Sequence, residues 1–214
     1  WLRRSAISPD GSKVVFCYQG DIFTVSSDGG RALQITTNEA YDSDPIWTPD
    51  GKKIVFSSYR AGSKDIFITS AEGGAPKRLT DYPGNETPLC VLDGNRVLFQ
   101  ANIQQDALYG GYPGTPQIWQ VDENAGRPRL VTSLPIMALS VNKSGDLIYE
   151  DYKGYEDPLR KHHRSSVTRD IWLYKAADAQ GERFRVTGDG AFTKLTSFAG
   201  EDRNPVFAAD GKTF

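Results

Sequence analysis

Short apolar runs separated by turn-forming residues fill the segment 44–80 of the chain. Residues 54–56 and 65–68 form two runs of β-branched and aromatic side chains, which favour extended strands. Asp50-Gly51, before the first of these runs, is a dipeptide typical of a tight turn between antiparallel strands. Together with the apolar residues that precede this turn and a short run near its end, the segment is predicted to form a four-stranded antiparallel sheet.

The same pattern recurs along the chain. A glycine-containing turn follows the first predicted strand of each repeat: Asp10-Gly11, Asp50-Gly51, Asp93-Gly94, Ser144-Gly145 and Asp210-Gly211. An apolar residue stands three positions before each turn: Ile7, Trp47, Cys90, Val141 and Phe207. We expect all of these side chains to be buried between neighbouring sheets, because the position stays apolar while its identity varies.

Four-strand units at a period of about 40 residues are typical of a β-propeller, because a lone sheet must stack on its neighbours to bury both faces. We therefore predict an all-β fold with four-stranded antiparallel blades at about 3–36, 44–80, 87–132 and 138–196, and a truncated fifth blade at 204–214. Known propellers have about four to eight blades, so this count predicts an incomplete ring with open strand edges. We expect those edges to favour self-association.

The composition narrows the range of partners. The chain carries 25 basic and 27 acidic residues, a formal net charge of −2, which favours neither nucleic acid nor an anionic membrane. No run of about 18 apolar residues occurs, so no membrane span is predicted. Cys17 and Cys90 fall in non-adjacent predicted blades, and we expect two separate buried thiols rather than a disulfide.

Two long inserts extend the link between the second and third strands of the third and fourth repeats, at about 100–116 and 150–169. In an up-and-down meander, these links emerge on the same face as the connections between blades. We therefore expect the two inserts to form one raised edge, which we call the insert rim. Long loops on a rigid scaffold commonly carry function.

The insert rim combines aromatic and basic residues, a mixture that suits contact with a peptide or a protein. The candidate contact residues are Tyr109, Tyr112, Tyr152, Tyr155, Arg160, Lys161, His162, His163 and Arg164. The alternative is that each tyrosine packs its own loop and the basic cluster forms a solvated or domain-docking surface.

Two clusters suggest a metal site, and both favour another interpretation. His162 and His163 are adjacent, so their side chains diverge, and the neighbouring cations repel a metal ion. Asp42 and Asp44 lack the ligand spacing of a calcium loop. We predict that these two carboxylates lie at a blade junction and accept hydrogen bonds from turn amides and neighbouring strands. Neither a metal site nor a cofactor is predicted.

The sequence gives only weak evidence for a catalytic nucleophile. The chain has no Gly-x-Ser-x-Gly sequence, which would place a serine on a strained turn. Ser140 and Lys143 match Ser-x-x-Lys, but the alternation of a strand directs them to different faces. No catalytic residue is predicted within the chain.

The repeat at 45–56, Pro-x-Trp-Thr-Pro-Asp-Gly-Lys-Lys-Ile-Val-Phe, resembles the repeat shared by TolB-like propellers and the amino-terminal propellers of tricorn-like serine peptidases. The opening segment 1–11 and the segment 155–172 look like the corresponding parts of bacterial tricorn-type peptidases. The resemblance implies a periplasmic or otherwise exported bacterial protein in which propellers precede a PDZ module and a serine-peptidase domain.

The function implied by this resemblance is that of a non-catalytic propeller, acting in peptide access, substrate gating or docking of the catalytic domain. Its expected partners are peptides or the PDZ and catalytic domains of the same peptidase. Two alternatives remain: a TolB-like protein-binding scaffold without enzymatic activity, and the propeller of a prolyl-oligopeptidase-type peptidase.

Overall fold

The computed structural model describes residues 2–103, 115–154, 167–176, 184–208 and 210–214. Within these ranges the regular secondary structure consists of sixteen β-strands. They form four antiparallel sheets of four strands each, and in every sheet the strands lie side by side in chain order. This arrangement confirms the prediction of an all-β fold built from four-stranded antiparallel blades.

The strands are short and evenly distributed. The first sheet contains β1 (Arg3–Ile7), β2 (Lys13–Tyr18), β3 (Asp21–Ser26) and β4 (Leu33–Gln34). The second contains β5 (Asp42–Trp47), β6 (Lys53–Ser58), β7 (Asp65–Ser70) and β8 (Lys77–Arg78). The third contains β9 (Thr87–Leu92), β10 (Arg96–Ala101), β11 (Gln117–Asp122) and β12 (Arg129–Thr132), and the fourth contains β13 (Ile136–Val141), β14 (Leu147–Asp151), β15 (Ile171–Lys175) and β16 (Ala191–Lys194).

The chain divides into two compact units, one formed by 1–104 with 119–129 and the other by 105–118 with 130–214. In the first unit, β5 packs against β1, β2 and β3, and β9 packs against β5, β6 and β7. The first strand of the second sheet and that of the third therefore each lie on the preceding sheet, as expected for stacked blades.

A hydrophobic core joins the first two sheets of the first unit. Its buried members are Val15, Cys17, Ile22 and Ile35 from the first repeat and Trp47, Ile54, Phe56, Phe67 and Ala71 from the second. The indole Nε1 of Trp47 donates a hydrogen bond to the carbonyl of Ala6 at 3.1 Å, so the side chain also satisfies its polar group at this interface. No disulfide joins the two cysteines; Cys17 is buried, as predicted, whereas Cys90 is only partly buried.

The apolar position predicted from the repeat is not uniformly buried. Trp47 is 8% exposed, but Ile7 is 69% exposed. Cys90, Val141 and Phe207 are partly buried. The prediction of burial in every repeat is therefore wrong for Ile7. A side chain at this position packs on the preceding sheet, and no sheet precedes β1 among the described residues.

The turn between the first and second strands has the same hydrogen bonding in distant repeats. The N–H of Thr48 donates to the carbonyl of Lys53 at 3.0 Å, and that of Ala208 donates to the carbonyl of Thr213 at 2.8 Å. The Asp210 carboxylate accepts two turn N–H groups, at 2.8 and 2.9 Å, and the bond from Thr213 is the main cause of its lowered pKa. This turn supports the prediction that 204–214 begins a fifth blade, which stays a prediction.

A β-bulge interrupts the pairing of the first strand. In β1 and β5 the register shifts relative to the partner strand, and at that place Arg4 and Asp44 adopt left-handed backbone angles, with φ of 51° and 53°. Asn204 has the same conformation, with φ of 54°, at the equivalent place before Pro205. Asp and Asn tolerate this conformation better than most residues, which accounts for Asp44 and Asn204 but not for Arg4.

A threonine after the fourth strand closes the sheet edge. Its hydroxyl accepts the N–H of an isoleucine in the third strand, from Ile22 to Thr36 at 3.0 Å, from Ile66 to Thr80 at 2.9 Å and from Ile171 to Thr196 at 3.1 Å. Each bond satisfies a backbone donor that the two-residue or four-residue fourth strand leaves unpaired.

The second unit is organised on the fourth sheet. Its buried apolar residues include Ile136, Leu139, Leu147, Ile148, Tyr149, Ile171 and Tyr174. The N–H of Phe207 donates to the Ser140 hydroxyl at 3.2 Å, and the Asn142 side-chain amide donates to the carbonyl of Gly211 at 2.9 Å. These bonds hold the predicted start of the fifth blade against β13 and the turn that follows it.

Candidate functional site

The insert rim predicted from the sequence is only partly described. Of the candidate contact residues, Tyr152 is described: its N–H donates to the carbonyl of Pro135 at 2.9 Å and its side chain is partly buried. The others lie outside the described residues: Tyr109, Tyr112, Tyr155, Arg160, Lys161, His162, His163 and Arg164. Peptide or protein contact at the insert rim therefore stays a prediction.

In the first unit, charged side chains gather where the links between second and third strands meet the connections between sheets. We call this group the junction cluster; it consists of Arg4, Asp42, Asp44, Arg60, Lys64 and Glu86. The two carboxylates predicted at a blade junction are among its members. Its cations and Glu86 were not predicted from the sequence.

Asp42 is the fully buried carboxylate of an ion pair. Both of its oxygens accept bonds from one terminal nitrogen of Arg60, at 2.9 and 2.7 Å. The guanidinium carbon of Arg60 lies 5.4 Å from the ring centre of Phe56 and 5.0 Å from that of Phe67, within the range of a cation–π contact. Arg60 also donates from Nε to the Ser58 hydroxyl at 2.9 Å. The guanidinium thus caps the hydrophobic core while neutralising Asp42.

Asp44 connects three repeats. Its carboxylate lies 3.2 Å from Nε of Arg4 in the first repeat and 2.8 Å from Nζ of Lys64 in the second. The same ammonium donates to the Thr87 hydroxyl of the third repeat at 3.0 Å. Burial alone would raise the pKa of Asp44, but the hydrogen bond and the charge of Lys64 outweigh it, so the pKa lies below its ordinary value.

Glu86 is a buried carboxyl that forms no ion pair with a cation among the described residues. One oxygen bonds to the Thr80 hydroxyl, and Oε1 has no hydrogen-bond partner among the described residues. Burial, reinforced by the nearby charge of Asp65, raises its pKa from 4.5 to about 7, although the bond from Thr80 and the charge of Arg78 act in the opposite direction. Arg78 itself pairs with Asp65 at 2.9 Å. Glu86 is therefore largely protonated under mildly acidic conditions.

Acidic residues occupy the same backbone position at successive junctions. The N–H of Asp42 donates to the carbonyl of Gly20 at 2.8 Å, and that of Glu86 donates to the carbonyl of Lys64 at 2.8 Å. Within the second unit, the N–H of Asp202 donates to the carbonyl of Arg169 at 3.1 Å. In each case the acceptor directly precedes the aspartate near the start of a third strand.

The second unit has its own charged group beside β14 and β15. Arg169 pairs with the buried Glu150 at 2.5 Å, and the other oxygen of Glu150 accepts the N–H of Asn204 at 3.0 Å. Asp170 contacts both Lys153 and Lys194. These cations lower the pKa of Asp170 against the opposing effect of burial. The carboxylates here are thus paired, as most are in the first unit.

The chemistry of these groups is structural. The prediction that Asp42 and Asp44 are hydrogen-bonded carboxylates at a blade junction is correct in place but wrong in partner. The side chains that contact them are those of Arg60, Lys64, Arg4 and Ser43, rather than turn amides. Among the described residues no group of three or more His, Cys, Asp or Glu side chains could hold a metal ion. The same ranges contain no helix with the length and apolarity needed to cross a membrane.

One sequence pattern could have predicted Lys64 as a member of the junction cluster. Lys64 and Arg169 both stand immediately before an aspartate at or next to the start of a third strand, and both pair with a carboxylate. No comparable spacing marks Arg60, because the link that carries it differs in length from repeat to repeat.

The sequence of residues 1–191 matches the family model of the tricorn protease N-terminal β-propeller domain. Tricorn protease homolog 1 of Streptomyces coelicolor is 34% identical over 186 residues, a match that covers 85% of this chain and 17% of that protein. The uncharacterized peptidase YuxL of Bacillus subtilis is 31% identical over 108 residues, covering 45% of this chain and 16% of that protein. The matched segments therefore cover about a sixth of the length of each of these two relatives.

Solved structures share the fold at low sequence identity. The tricorn protease superposes with a TM-score of 0.69 at 16% identity, over 94% of this chain and 18% of that one. TolB from Acinetobacter baumannii superposes with a TM-score of 0.64 at 21% identity, over 95% of this chain and 45% of that one.

Proposed function

The chain belongs to the tricorn protease N-terminal β-propeller domain family, and from this premise we propose that it is the non-catalytic propeller of a tricorn-like serine peptidase. The observation that carries the proposal is the family match over residues 1–191. In this role the propeller admits or positions peptide substrates and docks the PDZ and catalytic domains of the same polypeptide. We also propose a periplasmic or exported location, which rests on the resemblance to exported bacterial peptidases.

The junction cluster supports a scaffold role. Asp44 is held by cations from two repeats, and Lys64 reaches a third. Charge-assisted bonds across successive sheets fix their relative positions better than apolar contact alone, because they are directional. A rigid set of blades suits loops that must present recognition residues in a constant arrangement.

The insert rim is the surface we propose for peptide access. Its tyrosines offer aromatic contact area, and Arg160, Lys161 and Arg164 offer charge for peptide carboxylates or backbone carbonyls. Tyr152 follows β14, the strand that leads into this insert.

A charge-removal variant of the full-length protein tests this role. Replacing Arg160, Lys161 and Arg164 together by alanine is expected to raise KM for a long unstructured peptide by about tenfold, equal to about 1.4 kcal/mol of binding, while kcat for a chromogenic dipeptide is unchanged. A matched control removes the same charge from exposed lysines of the turns between first and second strands: Lys52, Lys143 and Lys212.

Equal KM values for the variant and the wild type, or an equal effect of the control substitutions, would refute peptide access at the insert rim. A full-length protein without peptidase activity would favour the TolB-like scaffold instead.

A further inference from the structure

Two successive junctions between sheets hold a buried carboxyl at the same backbone position. Asp42 lies between the first and second sheets, and Glu86 lies between the second and third. The N–H of each donates, at 2.8 Å, to the carbonyl that precedes the third strand of the sheet before it. Both residues are fully buried. The two carboxyls thus have the same setting in the fold, and what distinguishes them is the side chains around them.

The cation of the first of these junctions has no counterpart at the second. Arg60, which pairs with Asp42, stands four residues after Phe56 in the second repeat. Four residues after Phe99, the equivalent of Phe56 in the third repeat, stands Ile103. An apolar residue therefore occupies the sequence position from which a guanidinium neutralises the buried carboxylate of the preceding junction.

The charged groups near Glu86 are already paired with one another. In the described part of the chain they are Lys64 with its partner Asp44, Arg78 with its partner Asp65, and Asp81. The two ion pairs have N–O distances of 2.8 and 2.9 Å, so both cations are engaged. Ionisation of Glu86 would therefore create a buried negative charge without a cation of its own, a state that a protein relieves by opening to water.

Glu86 also ties the connection between β8 and β9 to the second sheet. Its N–H donates to the carbonyl of Lys64, its carbonyl accepts the Ser57 hydroxyl at 2.9 Å, and its carboxyl bonds to the Thr80 hydroxyl. Thr80 in turn accepts the N–H of Ile66 at 2.9 Å. The second carboxyl oxygen, Oε1, has no hydrogen-bond partner among the described residues. Water that entered to solvate an ionised carboxylate would compete for each of these bonds.

We propose that the junction between the second and third sheets is a pH-sensitive contact: the connection 80–86 is held on the second sheet while Glu86 is protonated, and it opens locally when Glu86 ionises. The junction between the first two sheets stays closed over the same pH range, because Arg60 neutralises Asp42. Opening would also release the start of the third insert, since the Tyr82 hydroxyl of the connection donates to the carbonyl of Ile103 at 3.3 Å.

The transition lies near neutral pH. Burial raises the pKa of Glu86 from 4.5 to about 7 in the closed form, whereas solvated Glu86 has its ordinary pKa. The closed form therefore binds the proton more tightly than the open form. Closure is strongest below pH 4.5 and weakens as the pH rises through 7.

Hydrogen exchange of the full-length protein at pH 5 and pH 8 tests the proposal. After correction for the intrinsic pH dependence of exchange, the amides of Ile66 and Glu86 are expected to lose protection at least about tenfold at pH 8, because the connection opens more often. Peptic fragments that contain the equivalent amides of Ile22 and Asp42 provide the internal control, and their protection should change less than about twofold.

Two variants remove the cause in different ways. Glu86→Gln cannot ionise, and Ile103→Arg supplies a guanidinium at the position equivalent to Arg60. In both variants the protection of the connection at pH 8 is expected to stay within about twofold of its value at pH 5. Glu39→Gln is the matched control: Glu39 is exposed in the equivalent connection before Asp42, so this variant should behave as the wild type does.

An equal loss of protection at both junctions, or no loss at either, would overturn the proposal. A loss that persists in the Glu86→Gln variant would assign the transition to Asp65 and overturn it as well. Persistence in a folded Ile103→Arg variant would refute the missing cation as its cause. Because exchange is measured without substrate, this inference can stand in a protein that lacks peptidase activity, where the proposed function fails.

Discussion

Arg60 acts at a single buried carboxylate. It donates two bonds to Asp42, lies over Phe56 and Phe67, and has only 15% of its side chain exposed. Removing the guanidinium would leave Asp42 charged, buried and without a cation, a much larger penalty than the loss of an exposed pair.

We expect Arg60→Met to lower the free energy of unfolding of the chain by about 3–5 kcal/mol, measured by urea titration. Lys13→Met removes an ion pair whose partners are 43% and 72% exposed, and should cost less than about 1 kcal/mol. The double variant with Asp42→Asn should recover most of the loss, because it no longer buries an unpaired charge. Similar costs for the two single variants would contradict this account.

The first strand of a blade depends on the sheet before it. Trp47 and Ile7 occupy the same repeat position, yet Trp47 packs in the core between two sheets and Ile7 is exposed. The stability that each side chain contributes should therefore differ far more than their repeat equivalence suggests.

Trp47→Ala is expected to destabilise the chain by about 3–5 kcal/mol, because it empties a packed site between two sheets. Ile7→Ala should change the free energy of unfolding by no more than about 0.5 kcal/mol, as for other exposed positions. Thermal and urea denaturation of the two variants under the same conditions provide the comparison. A large cost at Ile7 would contradict this account, because it would mean that the side chain is packed rather than exposed.

Trp47 and Ile7 show which features of the fold can be predicted from the sequence and which cannot. Alternating apolar positions and Asp-Gly turns predict strands because both act within a few residues of the chain. Burial at a repeat position depends on a neighbouring sheet, so it was predicted correctly for Trp47 and wrongly for Ile7. The partner of Asp42 was not predictable for a related reason: Arg60 reaches it from a link of variable length, and no local pattern records that contact.

Over the whole molecule, two sets of carboxyl groups act in opposite directions on stability. Asp44 and Asp170 have pKa values below the ordinary 3.8, because nearby lysines outweigh the effect of burial. Their contribution to stability is present above pH 3.8 and is lost as the pH falls through the lowered values. Glu86 behaves in the opposite sense: burial raises its pKa from 4.5 to about 7, so its contribution is complete below pH 4.5 and is lost as the pH rises through 7.

The free energy of unfolding should therefore be highest between about pH 4 and 5, and the ionisation of Glu86 should lower it by about 3 kcal/mol by pH 8. Burial also raises the pKa of Asp65, which lies near Glu86 and Arg78, so the effect of Glu86 must be measured by comparing variants rather than from the pH profile of the wild type alone.

Glu86→Gln keeps the shape of the side chain without its ionisation. Its stability relative to the wild type should rise by about 3 kcal/mol between pH 5 and pH 8, whereas Glu72→Gln, at an exposed turn, should show no such change. Urea titrations of the wild type and both variants at pH 5 and pH 8 test this prediction. If the free energy of unfolding of the Glu86→Gln variant fell as much as that of the wild type, the group whose ionisation destabilises the chain would not be Glu86.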